Sequence, residues 1–375
     1  MLRRQFLLVI MCSSYSLNIL FPPFVFLFFC TIEAAIKLPE NETIPAVFAF
    51  GDSILDTGNN NNLVSVTKFN YPPYGRDFVG GKPTGRASDG KLPSDLIAEA
   101  LGIKELLPAY LDEDTKDEDL LTGVCFASSG SGLDPLTPTI LRVLSLSDQL
   151  ELFKEYITKL RGIAGEDRAN SIISNSLFIV SAGNNDIALT YFITNLRKLQ
   201  YDVPSYNAFL VASASSFFKD LYELGARRIA VFSPIPLGCL PLLKTLQGGI
   251  QRQCVENINE AVELFSANLS TELQSLNSNL PDANLLLIDV YNPLLDFIRD
   301  PAKFGFEVAN LGCCGTGTVE FIETCNQLLD LLTCSDASKY VFFDAVHPTE
   351  MAYKILISQI LQKYINILFC GRSPC

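Results

Sequence analysis

Five short apolar runs that end in turn residues constrain the fold of this chain most strongly. Each run is rich in Val, Ile, Leu, Phe or Ala without polar alternation, which is typical of strands buried on both faces of a parallel sheet. Helical patterns lie between or after them, over residues 205–226, 254–277 and 348–365. This β-α order predicts a three-layer α/β/α sandwich with a central parallel sheet. The five runs are residues 46–50, 123–127, 176–182, 227–233 and 284–290.

The first 35 residues have the organisation of a secretory signal peptide. Arg3 and Arg4 precede two apolar stretches, and small residues follow near Ala35. We interpret residues 1–35 as a cleaved signal in preference to a signal anchor, and residues 36–375 as a single domain. No later stretch is long and apolar enough for a transmembrane helix, so no stable membrane span is expected after signal removal. The sequence therefore predicts a secreted protein.

The charge of the chain argues against nucleic-acid partners. The formal net charge is −13, and it becomes −14 when Arg3, Arg4 and Glu33 leave with the signal. A phosphate backbone must be neutralised by cationic side chains, so we expect no nucleic-acid binding. Residues 85–92 and 130–135 begin like nucleotide-binding loops, but each lacks a defining residue of its motif.

The cysteine content fits an oxidising compartment, where disulfides form. Nine cysteines follow the signal, and this odd number leaves at least one thiol free or paired between chains. Cys125, inside an apolar run, is the candidate for a buried free thiol. The alternative for the four cysteines between residues 313 and 334 is a zinc site. Asn41 and Asn268 begin Asn-X-Ser/Thr triplets and are candidate glycosylation acceptors.

Three of the apolar runs end in polar or glycine-rich segments. "GDSILDTGNN" places Ser53 directly after the first run, at the strand end where α/β folds form their ligand crevices. "SSGSG" places a flexible loop around Gly130 after the second run, and "SAGNND" places Asn185 after the third. Because these are parallel strands, we expect the three segments to meet at one edge of the sheet.

The only histidine of the chain, His347, follows Asp344 by three residues in "FFDAVHPTE". Serine is a poor nucleophile until a base, usually histidine, takes its proton, and a carboxylate orients that base. Pro348 disfavours helical angles at His347, which predicts a loop that leads into the last helix. The pattern therefore predicts an acyl-transfer site.

In this order and spacing, "FAFGDSILDTGNN", "GVCFASSGSG", "SAGNND" and "FFDAVHPTE" resemble the GDSL esterases/lipases of the SGNH hydrolase superfamily, in particular the plant secreted branch. Connecting segments such as "RRIAVFSPIPLGCLP" are similar too, and the resemblance covers residues 45–365. It implies a flavodoxin-like α/β/α fold and a reaction that needs no metal or organic cofactor.

The resemblance also implies a role for five residues. Ser53 matches the nucleophile, His347 the general base, and Asp344 the carboxylate that orients the base. The oxyanion donors would be the N–H groups of Ser53 and Gly130 and the side-chain amide of Asn185, since such donors stabilise the charge that develops in acyl transfer.

Two positions depart from the family pattern. Ile54 replaces the leucine that gives the family its name, which we expect to be harmless. Cys125 stands where relatives usually carry asparagine, so an amide that could brace the loop of Gly130 is lost. How that loop is held is left open by the sequence.

The resemblance implies a serine esterase that hydrolyses carboxylic esters through an acyl-enzyme. Its substrates would be esters of lipids, cuticle, wall polysaccharides or small metabolites, and it would act in the apoplast or cell wall, with the vacuole as the alternative. Two other functions remain open. An acyltransferase would use the same acyl-enzyme, and a non-catalytic binding protein would keep only the fold.

Overall fold

The structure is a computed structural model that describes residues 43–78 and 80–370. The predictions for the signal segment and for Asn41 lie outside the described residues. Within the described residues, the strands are β1 (Val47–Gly51), β2 (Leu177–Ser181), β3 (Arg228–Phe232), β4 (Asn284–Ile288), β5 (Val308–Gly312) and β6 (Tyr340–Phe342).

The strands are connected by helices of very different lengths. A π-helical segment, Asp186–Ile193, follows β2, and several single 3₁₀ turns occur in the connecting loops. The α-helices of the described residues are α1 (Pro93–Ala100), α2 (Asp117–Leu120), α3 (Leu136–Leu141), α4 (Leu146–Ala164), α5 (Glu166–Asn175), α6 (Val203–Glu223), α7 (Pro241–Gln247), α8 (Glu256–Asn279), α9 (Tyr291–Arg299) and α10 (Glu350–Cys370).

The main sheet is parallel, with β1, β2, β3 and β4 side by side in that order. The predicted strand over residues 123–127 runs beside the free edge of β1. There the Ala49 N–H donates to the Val124 carbonyl at 3.3 Å, and the Phe126 N–H donates to the Ala49 carbonyl at 2.7 Å. When this segment is counted as the second strand, the order is 2-1-3-4-5, which is flavodoxin-like. The strand order reverses at β1, since the second strand lies on one side of it and the later strands on the other, so the carboxyl end of β1 is the expected binding crevice.

Helices cover both faces of the sheet, which confirms the predicted three layers. Helices α4, α6 and α8 pack together on one face, and α1 and α10 contact each other and the sheet on the other. An aromatic cluster fills the core between β1 and α4, where each buried ring contributes roughly 1.5–3 kcal/mol. Its rings belong to Phe48, Phe50, Phe126, Phe153, Tyr156 and Phe178.

The structure differs from the sequence prediction at the C-terminal helix and in a second, small sheet. Helix α10 begins at Glu350, not at Pro348, because the Thr349 hydroxyl accepts the Ala352 N–H at 3.2 Å and caps the helix. Strands β5 and β6 pair parallel to each other. They were not predicted, since "VANLG" and the three-residue β6 are too short and too mixed to give a strand pattern.

Three disulfides connect six of the cysteines: Cys239–Cys254, Cys313–Cys334 and Cys314–Cys325. The zinc alternative is therefore wrong, because all four of its candidate ligands are paired as disulfides. Cys125 is buried with a free thiol, as predicted. Asn268 lies half-buried within α8, not on a loop, and its glycosylation stays a prediction. Among the described helices, none has the length and apolarity needed to cross a bilayer.

Candidate active site

Ser53, His347 and Asp344 form a continuous chain of hydrogen bonds. The Ser53 Oγ lies 2.9 Å from Nε2 of His347, and Nδ1 of the same ring lies 2.8 Å from Oδ2 of Asp344. Ser53 follows β1 directly, whereas the other two residues lie on the loop between β6 and α10, as the sequence predicted. The fold thus brings together a hydroxyl and an imidazole that are 294 residues apart.

The Asp344 carboxylate is fully buried and held by its own loop. Its Oδ1 accepts the backbone N–H groups of Val346 and His347, both at 2.7 Å. Burial alone would raise the pKa of this carboxyl, but the charge and hydrogen bonds of His347 outweigh it and lower the pKa below its ordinary value. Asp344 is therefore held as an anion beside the imidazole.

Glycine at position 51 allows the chain to turn from β1 to Ser53. Gly51 has φ +117°, and a Cβ atom there would lie 1.8 Å from the Ser181 carbonyl oxygen of β2. The Gln149 side-chain amide spans both backbone groups of Gly51, accepting its N–H at 2.8 Å and donating to its carbonyl at 3.0 Å. The same amide donates to the Ser131 hydroxyl at 3.2 Å, so Gln149 fixes the Ser53 turn against the glycine-rich loop.

The "SAGNND" segment is tied to the same glycine-rich loop. The Asn185 side-chain amide donates to the Ser131 carbonyl at 2.9 Å. The buried Asp186 carboxylate accepts the backbone N–H groups of Leu133 and Asp134 at 2.8 and 3.0 Å. The three sequence motifs that follow the apolar runs therefore meet at one edge of the sheet, as predicted.

Two backbone donors at this edge are free. Within residues 43–78 and 80–370, neither the Ser53 N–H nor the Gly130 N–H forms a hydrogen bond. Gly130 has φ +91°, and a Cβ atom there would lie 2.6 Å from Leu141 Cδ1, so the position favours glycine. These N–H groups, with the Asn185 amide next to them, could bind an oxyanion formed at Ser53.

The question raised by Cys125 is resolved by the residues that follow Ser53. The Asp56 carboxylate accepts both the N–H and the hydroxyl of Ser129 at 2.8 Å. The Asn59 amide donates to the carbonyls of Cys125 and Ala127, and the Asn60 amide to the Ser129 carbonyl, at 2.8–2.9 Å. The loop of Gly130 is thus braced from the "DTGNN" segment and not by the side chain at position 125.

Asp52, next to Ser53, is a buried carboxyl with an unusual environment. Burial raises its pKa to about 6, although hydrogen bonds from Asn184, the Ile54 N–H and Ser181 work in the opposite direction. The Asn184 amide donates to Asp52 Oδ2 at 2.9 Å, and the Ser181 hydroxyl donates to Oδ1 at 2.9 Å. Asp52 therefore links β1 to β2 beneath the candidate nucleophile.

The raised pKa of Asp52 predicts a loss of stability with increasing pH. A carboxyl whose pKa is higher in the folded than in the unfolded state stabilises the fold fully below the unfolded value, and this contribution disappears as pH rises through the folded value. We expect Asp52 to account for about 2 kcal/mol of decrease in the free energy of unfolding between pH 4 and 7. In Asp52→Asn that part of the decrease should vanish, as measured by urea unfolding across this range. Asp114→Asn on the exposed loop is the control, and an identical pH slope in all three proteins would contradict the prediction.

The hydroxyl–imidazole–carboxylate chain, placed at the carboxyl end of a parallel α/β sheet, is the arrangement of a serine hydrolase. Residues 47–360 match the family model of the GDSL-like Lipase/Acylhydrolase. The chain is 51% identical over 340 residues to the GDSL esterase/lipase EXL3 of Arabidopsis thaliana, covering 91% of this chain and 93% of that protein. The chain belongs to the GDSL esterase/lipase family, which is a family of ester hydrolases.

A second relative agrees with this membership. A further GDSL esterase/lipase of Arabidopsis thaliana is 52% identical over 326 residues, which cover 87% of this chain and 92% of the relative. A solved structure of an acetylxylan esterase from Geobacillus stearothermophilus aligns with 86% of this chain and 95% of its own, at 12% identity and a TM-score of 0.35. That structural similarity is too low to support an argument about this site.

Proposed function

We propose that this protein is a secreted serine esterase that hydrolyses carboxylic esters through an acyl-enzyme on Ser53. The observation that carries the proposal is the hydrogen-bond chain from Ser53 through His347 to Asp344. When Nδ1 of His347 carries the ring proton and donates a hydrogen bond to Asp344, Nε2 is free to accept the hydrogen bond of the Ser53 hydroxyl. That is the arrangement a general base requires.

In the first half of the reaction, Ser53 Oγ attacks the ester carbonyl carbon while His347 Nε2 takes the hydroxyl proton. The negative charge then forms on the former carbonyl oxygen, where the Ser53 and Gly130 N–H groups and the Asn185 amide would stabilise it. Collapse of this intermediate breaks the bond to the alcohol oxygen, and His347 gives its proton to the departing alcohol. The acyl group remains on Ser53.

In the second half, water attacks the acyl-enzyme and His347 takes a proton from it. Collapse of the second tetrahedral intermediate returns the proton to Ser53 Oγ and releases the carboxylic acid. Asp344 stays ionised throughout and stabilises the imidazolium that forms twice in each cycle. No group beyond these side chains, backbone donors and water takes part in this scheme.

Secretion is supported by two separate observations. Residues 1–35 have the pattern of a secretory signal, which would direct export, and the three disulfides fit an oxidising compartment. Because its relatives are plant proteins, the apoplast or cell wall is the proposed location. Esters of lipids, cuticle, wall polysaccharides or small metabolites are the proposed substrates there.

The proposal can be tested with p-nitrophenyl esters from acetyl to long acyl chains, using the full protein secreted into culture medium. We expect turnover of at least one chain length, and stoichiometric labelling of Ser53 by a fluorophosphonate that is identified by peptide mass. His347→Ala should abolish both. A folded protein that reacts with neither the esters nor the fluorophosphonate would contradict the esterase proposal and favour a binding function. Ester products that appear on addition of an alcohol would instead identify an acyltransferase.

A further inference from the structure

The Asp344 carboxylate accepts a fourth hydrogen bond that the scheme above does not use. The Tyr74 hydroxyl donates to Asp344 Oδ2 at 2.7 Å. This is the same oxygen that lies 2.8 Å from Nδ1 of His347, so the phenol and the imidazole share one acceptor atom. Tyr74 and Asp344 are 270 residues apart in the sequence, and Tyr74 belongs to the loop between β1 and α1.

Aromatic neighbours hold the Tyr74 ring in place. The ring is fully buried and makes edge-to-face contacts with Phe69, Tyr71 and Phe343, with centroids 5.0–5.4 Å apart. Phe69 also contacts the His347 ring, with centroids 5.1 Å apart. One aromatic cluster therefore packs against both the imidazole and the phenol that meet at Asp344.

The Tyr74 hydroxyl is a permanent donor in this position. Burial and the neighbouring negative charge of Asp344 raise its pKa well above the ordinary value for tyrosine. An uncharged phenol beside a buried carboxylate donates a charge-assisted hydrogen bond, which is stronger than one between neutral groups. The oxygen that faces His347 is thus fixed in direction and partly relieved of its charge.

We propose that Tyr74 is a positioning residue for the reaction, acting on His347 through the shared oxygen of Asp344. The inference rests on the proposed function of Ser53, His347 and Asp344. Tyr74 does two things there: it keeps the carboxylate aligned with Nδ1 of His347, and it limits how strongly the carboxylate stabilises the imidazolium. Without the phenol, more negative charge on Oδ2 is available to the protonated ring.

The kinetic test compares Tyr74→Phe with Tyr71→Phe. Loss of a hydrogen bond to a charged group is expected to lower kcat about tenfold or more, with KM little changed, because Asp344 and His347 are less well aligned. Tyr71 is the matched control because it lies in the same loop and aromatic cluster. None of the four hydrogen bonds that Asp344 accepts from described residues comes from Tyr71, so Tyr71→Phe leaves all four in place.

The decisive measurement uses the single histidine of the chain, because both ring ¹⁵N signals in NMR of protein carrying ¹⁵N-labelled histidine and a histidine-free tag then belong to His347. In Tyr74→Phe the pH midpoint of these signals should move upward, and the acid limb of the kcat/KM profile should move with it. A purely structural role for Tyr74 would lower activity or stability without moving the midpoint. Other titratable groups that face the pair, namely Asp52, Tyr71, Glu320 and Tyr353, are unchanged in this variant.

A second replacement keeps the test valid if Tyr74→Phe does not fold. Incorporation of 3-fluorotyrosine at position 74 retains the ring and makes the phenol a stronger donor, so the midpoint should move downward. An unmoved midpoint in the folded variants would overturn the role of Tyr74. The titration needs no substrate, so it separates this proposal from the esterase proposal, which is tested by the reaction of the wild-type protein with esters and fluorophosphonate.

Discussion

Replacement of Ser53 with alanine is expected to lower kcat for ester hydrolysis by about a millionfold, the loss typical of removing the nucleophile from a Ser–His–Asp site. The Ser53 side chain has one hydrogen bond, to Nε2 of His347, so no other hydrogen bond within the described residues depends on it. The free energy of unfolding should therefore change little. The steady-state rate of p-nitrophenol release from a p-nitrophenyl ester, compared between the two proteins, measures the loss.

Ser215→Ala is the control for this experiment. Its hydroxyl also makes one side-chain hydrogen bond, to Glu272 at 2.6 Å, but it lies on α6 away from the candidate site. We expect its kcat to equal that of the wild type. Retention of a tenth or more of the activity in Ser53→Ala would mean that another group is the nucleophile, and the proposed mechanism would be wrong.

Replacement of Arg86 with leucine is expected to reduce the free energy of unfolding by about 3–5 kcal/mol. The guanidinium forms two hydrogen bonds to the fully buried Asp95 carboxylate, at 2.7 and 2.8 Å. It also donates to the carbonyls of Thr57 and Leu107, both at 3.1 Å. Without Arg86 the Asp95 charge stays buried and loses its cation, and the Thr57 carbonyl in the loop after Ser53 loses the hydrogen bond from the guanidinium. Urea unfolding monitored by circular dichroism gives the difference.

Lys91→Met provides the comparison for Arg86→Leu. Lys91 forms ion pairs with Glu99 and Glu105 at 2.8 and 3.3 Å, but both carboxylates are largely exposed. Such pairs contribute less than about 1 kcal/mol. If Arg86→Leu reduces the free energy of unfolding no more than Lys91→Met does, the prediction is wrong and the buried Arg86–Asp95 pair stabilises the fold no more than an exposed pair.

The sequence was sufficient to predict the features whose signal is local. Uniformly apolar runs identified β1 to β4, and the spacing of Asp344 and His347 predicted a pair that the structure places on one loop in hydrogen-bond contact. The position of Ser53 after a buried strand predicted its place at the sheet edge. In each case, residues within a few positions of one another determine the outcome.

The support around these residues was not predicted, because it depends on contacts between distant segments. Gln149 holds Gly51 from 98 residues away, and nothing near Gln149 in the sequence marks it as different from any other polar helix residue. Tyr74 reaches Asp344 across 270 residues. Asp56 and Asn59 were part of a recognised motif, yet their roles as braces for the loop of Gly130 needed the positions of both segments.

The separation between Ser53 and His347 sets when the proposed enzyme can first act. A ribosome adds about 5–20 residues per second, so the serine is synthesised some 15 to 60 s before its base. During that interval the chain has no histidine to take the proton of the hydroxyl, so it cannot hydrolyse esters by the proposed mechanism. Chains that terminate early stay inert for the same reason, so the last tenth of the polypeptide decides whether any molecule is active.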